Sequence, residues 1–71
     1  MEINQIIAAK IRERRLTKNL TLESVAHDLG ISKAAMSQLE NGHRKITARK
    51  IFLLAKVLDV PVSFFFEGIT L

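Results

Sequence analysis

The chain has 71 residues, 48% of them hydrophobic, no cysteine and a formal net charge of +4. That length suits one small domain spanning 1–71, held together by packing, since disulfides and thiolate metal sites are excluded. No apolar run approaches the roughly 20 residues that span a bilayer, and the opening MEINQII lacks the segments of a secretion signal. The expectation is a cytoplasmic protein that does not engage a membrane.

Charge is unevenly spread. Residues 1–18 carry Lys10, Arg12, Arg14, Arg15 and Lys18 against Glu2 and Glu13. Residues 31–50 carry Lys33, Arg44, Lys45, Arg49 and Lys50 against Glu40 alone, and Glu23 and Asp28 lie between the blocks. A basic surface suits a polyanionic partner. Charge alone fits an ordinary solubilising surface equally well.

The apolar spacing is helical throughout. Ile3, Ile7 and Ile11, widened by Ile6, predict a first helix near residues 3–18 that ends at Lys18-Asn19. Thr21 caps a second helix whose inner face is Val25, Ala26 and Leu29, with Glu23 in its first turn. Gly30 stops it. Ser32 caps a third, with Met36 and Leu39 inward, ending at Asn41-Gly42. After the basic loop His43-Arg44-Lys45, Thr47 caps a fourth helix with Ile51, Leu54, Ala55 and Leu58 on one face. Pro61 opens a short fifth helix through Phe64-Phe65-Phe66, closed by Gly68.

The break at Gly30 is informative. Two helices joined at about 90–120° need a tight turn with positive φ, which glycine adopts without steric cost. Close crossing also needs a small side chain, and Ala26 stands four residues before Gly30. With Met36 and Leu39 turned inward, Lys33, Ala34, Ser37 and Gln38 form the outward stripe of the third helix. These types suit base edges in a major groove: Lys33 for guanine, Gln38 for adenine, Ser37 for either, and the Ala34 methyl for thymine. A solvated helix face is the plainer account of the same stripe.

Arg15, LTLESVAHDLGIS (20–32), SQLENGHR (37–44) and IFLLAKVLDV (51–60) together resemble the phage-repressor-like (Cro/cI, XRE) helix-turn-helix family. The resemblance implies an all-α, five-helix, lambda-repressor-like DNA-binding domain with the helix-turn-helix at helices 2 and 3. It assigns base contacts to Lys33, Ala34, Ser37 and Gln38. It places Asn41, His43 and Arg44 on the phosphate backbone, and Ser32, at a helix N-terminus, suits a phosphate as well. Lys45 and Arg49 extend that surface. The family also pairs the residues matching Arg15 and Glu40 in a structural ion pair, and by this reading Arg14 is simply solvated. Leu22 departs from the pattern, where glutamine is frequent and touches a phosphate. Ile46 stands where proline is frequent.

Three consecutive phenylalanines span most of a helix circumference. The family resemblance, with a polar residue usual at the position of Phe64 and apolar ones at Phe65 and Phe66, implies that Phe65 and Phe66 lie in the core, leaving Phe64 exposed with Val62 and Ile69 as a homodimer interface through the C-terminal helix. The alternative is a core-only role, with Ile69 and Leu71 folding over the ring. His27 and His43 lack the partners of a metal site. No phosphate-binding glycine loop or nucleophile motif is present, so neither enzyme activity, a cofactor nor a small-molecule ligand is expected. The reading is a transcriptional regulator that binds a double-stranded, pseudo-palindromic operator as a homodimer. So short a chain leaves no room for a separate sensing domain, so its own concentration is the expected control. The restriction-modification controller protein is the preferred subtype. The rivals are an antitoxin that neutralises a toxin and autoregulates, a small phage-type repressor, and a domain of this fold that has lost DNA binding.

Overall fold

The computed structural model describes residues 2–70. Four α-helices follow in order, α1 (Ile3–Thr17), α2 (Leu22–Leu29), α3 (Lys33–Glu40) and α4 (Ala48–Leu58), then a 3-10 helix at Val62–Phe66. No strand occurs among the described residues. No helix there is long and apolar enough to cross a membrane.

Each α-helix starts and stops on local chemistry. The Thr21, Ser32 and Thr47 hydroxyls accept from the backbone N–H of Ser24, Ala35 and Lys50 at 3.0, 3.0 and 3.2 Å, satisfying donors left free in each first turn. Glu2 does the same for α1, accepting from the Asn4 N–H at 3.1 Å. All four helices end in one way. A residue at positive φ (Asn19, Gly30, Gly42 or Asp59) lets the next N–H reach back to a carbonyl of the last turn. Leu20 thus donates to Arg15, Ile31 to Ala26, His43 to Gln38 and Val60 to Ala55, as in the Schellman motif.

One core lies between the helices, with Ile11, Val25, Met36, Leu39, Leu54, Leu58 and Phe65 completely or almost completely buried. Ala26 is 2% exposed where α2 and α3 pack, the most extensive helix contact in the molecule. A larger side chain there would force the pair apart. The first stripe is narrower than its spacing suggests. Ile7 and Ile11 are buried, Ile6 is half-buried and Ile3 is exposed, because the N-terminal turn of α1 projects past the core. Leu29 is half-buried for a related reason, since α2 ends beside it.

The C-terminal segment corrects three expectations. The fifth helix is 3-10, with Phe64 donating to the Pro61 carbonyl at 3.0 Å. At three residues per turn, consecutive side chains sit about 120° apart, so only one of three phenylalanines can face inward. That one is Phe65, while Phe66, expected in the core, is 44% exposed. Phe64, expected to be exposed, is half-buried and lies edge-on to Phe65, with ring centroids 5.5 Å apart. Lys10 holds it there, its Nζ 5.5 Å above the ring and donating to the Phe64 and Glu67 carbonyls at 3.3 and 2.6 Å. Ile69 is half-buried against the core, and Leu71 lies outside the described residues.

Candidate nucleic-acid interface

The turn between α2 and α3 presents α3 to solvent. Gly30 adopts φ +70°, and nothing lies within 4 Å of where a Cβ would stand. Glycine is therefore needed for backbone conformation rather than space. Ala35, Met36, Leu39 and Glu40 of α3 are buried, so the helix has a fixed inner face. Lys33, Ala34 and Gln38 are exposed on the other side, and Ser37 is half-buried between the two faces. With its side chains an α-helix is about 10–12 Å across, close to the width of a B-DNA major groove.

α3 is anchored at its far end by a buried ion pair. Arg15 Nε donates to Glu40 Oε2 at 2.6 Å and Nη2 to Oε1 at 3.0 Å. Arg15 Nη1 also donates to the Leu20 carbonyl at 2.8 Å. Each residue is 8% exposed. The planar fork matches the carboxylate edge to edge, which fixes angle as well as distance. It ties α1, the α1–α2 turn and the last turn of α3 into one unit.

Lys33 and Gln38 of the outward stripe each pair with a charged neighbour. Lys33 Nζ lies 3.4 Å from Glu23 Oε1, with both side chains well exposed. An exposed pair of this kind contributes under about 1 kcal/mol, so Lys33 leaves it at little cost. Gln38 Oε1 accepts from Arg44 Nε at 3.1 Å. A residue expected to read bases and one expected to grip phosphates thus share a hydrogen bond. Among the described residues Gln38 Nε2 has no acceptor, so it can donate to a base.

Around this stripe, Ser32 is exposed at the α3 N-terminus, its oxygen engaged by Ala35 N–H. Asn41 and His43 are exposed beyond the other end, and Asn41 Nδ2 donates to Ser37 Oγ at 3.5 Å. Lys45 and Arg49 are exposed, Lys45 in the loop and Arg49 in the first turn of α4. Arg14 is not merely solvated. Its Nε donates to the Leu58 carbonyl at 3.0 Å and Nη2 to Asp59 at 3.3 Å, placing a cation at the negative end of α4. Among the described residues no cluster of three histidines or acids could hold a metal ion.

Sequence reasoning missed Asn4 and Gln5, in the first turn of α1, which hold the loop after α3. Gln5 Nε2 donates to the Gly42 carbonyl at 3.4 Å. Gly42 has φ +73°, so backbone conformation selects glycine there; a Cβ would meet only the movable amide end of the Gln5 side chain. Polar residues in a first helical turn are ordinary, and no periodicity marks them as partners of a loop 40 residues away.

A helix-turn-helix family profile matches residues 11–65. The chain is 30% identical over 63 residues to a Rhodospirillum rubrum protein described as an uncharacterized transcriptional regulator in the ATPase CF(0) region, covering 89% of this chain and 58% of that one. It is 31% identical over 62 residues to control protein C.SmaI of Serratia marcescens, covering 87% and 74%. The fold superposes on the restriction-modification controller protein C.AhdI of Aeromonas hydrophila with a TM-score of 0.80 and 26% identity, over 86% and 92% of the two chains. The chain spans about half the length of most of the curated regulators it matches. The motif, its exposed third helix and these likenesses agree: the chain belongs to the XRE-type helix-turn-helix family of transcriptional regulators.

Proposed function

We propose that this protein is a cytoplasmic, sequence-specific regulator that binds duplex DNA by inserting α3 into the major groove. The observation that carries the reading is the two-sidedness of α3. Its inner face is locked by Met36, Leu39 and the Arg15–Glu40 pair, and its outer face offers Lys33, Ala34, Ser37 and Gln38. Rigid presentation of donors matters because each correctly read base pair contributes roughly 1–3 kcal/mol only if the side chains are already aimed. Arg44, Lys45, Arg49, His43, Asn41 and Ser32 border the stripe and supply phosphate contacts.

Two copies acting together complete the reading. Two recognition helices about 34 Å apart reach successive major grooves on one face of a duplex. One recognition helix covers a few base pairs, and a two-fold dimer doubles the readout on a pseudo-palindromic operator. Val62 and Phe66, 41% and 44% exposed, are the apolar groups available to a dimer contact on the 3-10 helix. Phe64 and Ile69 are half-buried against the core and offer less to such a contact. Likeness to control protein C.SmaI and to the restriction-modification controller protein C.AhdI favours that subtype.

Selection from random duplex oligonucleotides tests the reading. The expected result is an enriched site with two-fold symmetry and half-sites about one helical turn apart. Arg44→Ala should then weaken binding to this site and reduce the slope of log K against log salt by about one phosphate contact. Recovery of no preferred sequence would refute the proposal.

A further inference from the structure

We propose that Asn4 is a positioning residue for DNA binding, resting on the functional reading above: it holds the 42–46 loop so that Arg44 is set in place before DNA arrives. Asn4 Nδ2 donates to the Arg44 carbonyl at 2.9 Å and lies 3.5 Å from the Gly42 carbonyl. Its Oδ1 accepts from the Ile46 N–H at 3.3 Å. Both ends of one half-buried amide are therefore used, and the loop is gripped on either side of Lys45. Gln5 adds a bond to Gly42 from the same helical turn.

The loop has few other ties. Residues 43–47 carry no helical ladder, and no hydrophobic side chain of the 43–45 stretch reaches the core. Ile46 is the one partly buried apolar residue near it. Its amide matters here, since a proline at 46 would have no N–H to give Asn4. Arg44 is thus held at two points, its carbonyl by Asn4 on α1 and its Nε by Gln38 on α3. The first turn of α1 thereby sets the distance between a phosphate-directed cation and a base-directed amide. An unfixed loop would have to be ordered at the moment of binding, at an entropic cost per residue.

Three measurements on the full chain test this. Asn4→Ala should bind the selected operator roughly tenfold more weakly, the equivalent of ordering about one loop residue. In the Asn4→Ala background, Arg44→Ala should cost distinctly less than in the parent, because one residue acts through the other. Amide exchange at Ile46 should accelerate in Asn4→Ala without DNA, while the amides of Met36 and Leu39 keep their protection. Strictly additive effects of Asn4→Ala and Arg44→Ala would overturn the proposal, as would unchanged affinity or an unchanged Ile46 amide. A parent chain that binds no duplex would instead refute the functional reading, and Ile46 exchange would still report whether the clamp exists.

Discussion

Removing the acid of the buried pair is the sharpest test of the architecture. In Glu40→Ala the Arg15 guanidinium stays buried and keeps its bond to the Leu20 carbonyl, but loses both carboxylate bonds. Stripping one partner from a buried pair costs about 3–5 kcal/mol, because the remaining charge is uncompensated. At roughly 0.05–0.15 kcal/mol per residue, a domain of this length has a stability of about 4–11 kcal/mol. The substitution should therefore take about a quarter or more of it and lower Tm by roughly 12 °C or more. Urea unfolding followed by far-ultraviolet circular dichroism is the assay, since the chain has no tryptophan or tyrosine to report by fluorescence. Replacing both partners with apolar residues (Arg15→Met with Glu40→Leu) should recover most of the loss, leaving about 1–2 kcal/mol for the stranded Leu20 carbonyl. A single-variant loss below about 1 kcal/mol would refute the reasoning, because that is how exposed surface pairs behave.

Other substitutions separate conformation, readout and assembly. Gly30→Ala should cost about 1–2 kcal/mol, the penalty for a left-handed alanine, and a much larger loss in thermal melts would mean that a steric clash exists there. Gln38→Ala should relax base preference at one position per half-site and release Arg44; an unaltered selection profile would remove Gln38 from the base readers. Phe66→Glu should sediment as a monomer with its helical spectrum intact, whereas a persisting dimer would place the contact elsewhere. Phe65→Ala, by contrast, should lose about 3–5 kcal/mol from the core.

The helical frame was legible because its signals are local. Thr21, Ser32 and Thr47 cap the helices they were expected to cap, and Asn19, Gly30 and Gly42 end the ones before. Asp59 ends α4 at positive φ as Asn19 ends α1, but aspartate is equally at home at negative φ in loops and caps, so its identity alone does not mark the stop. The aromatic run misled because side-chain direction depends on whether the turn has three residues or 3.6. Phe64 and Phe66 flank Phe65 symmetrically in the 3-10 turn, and it is Phe64 that lies under Lys10. Arg14, Lys10 and Asn4 were unreadable for another reason. Each donates to a backbone carbonyl far along the chain, and every residue has a carbonyl, so no partner residue type leaves a trace in the sequence.

The four identical helix endings carry a consequence for how the chain reaches this state. Each boundary is written within about six residues, so the length of each rod is set locally, although rods of eight residues persist only once they pack. A bundle of such locally bounded helices belongs among the rapid, low-contact-order folders, with relaxation expected in microseconds to milliseconds. Swapping Asn19 or Asp59 for a β-branched residue would then do more than weaken a turn. It would let one rod overrun its stop, and assembly would slow as well as lose stability.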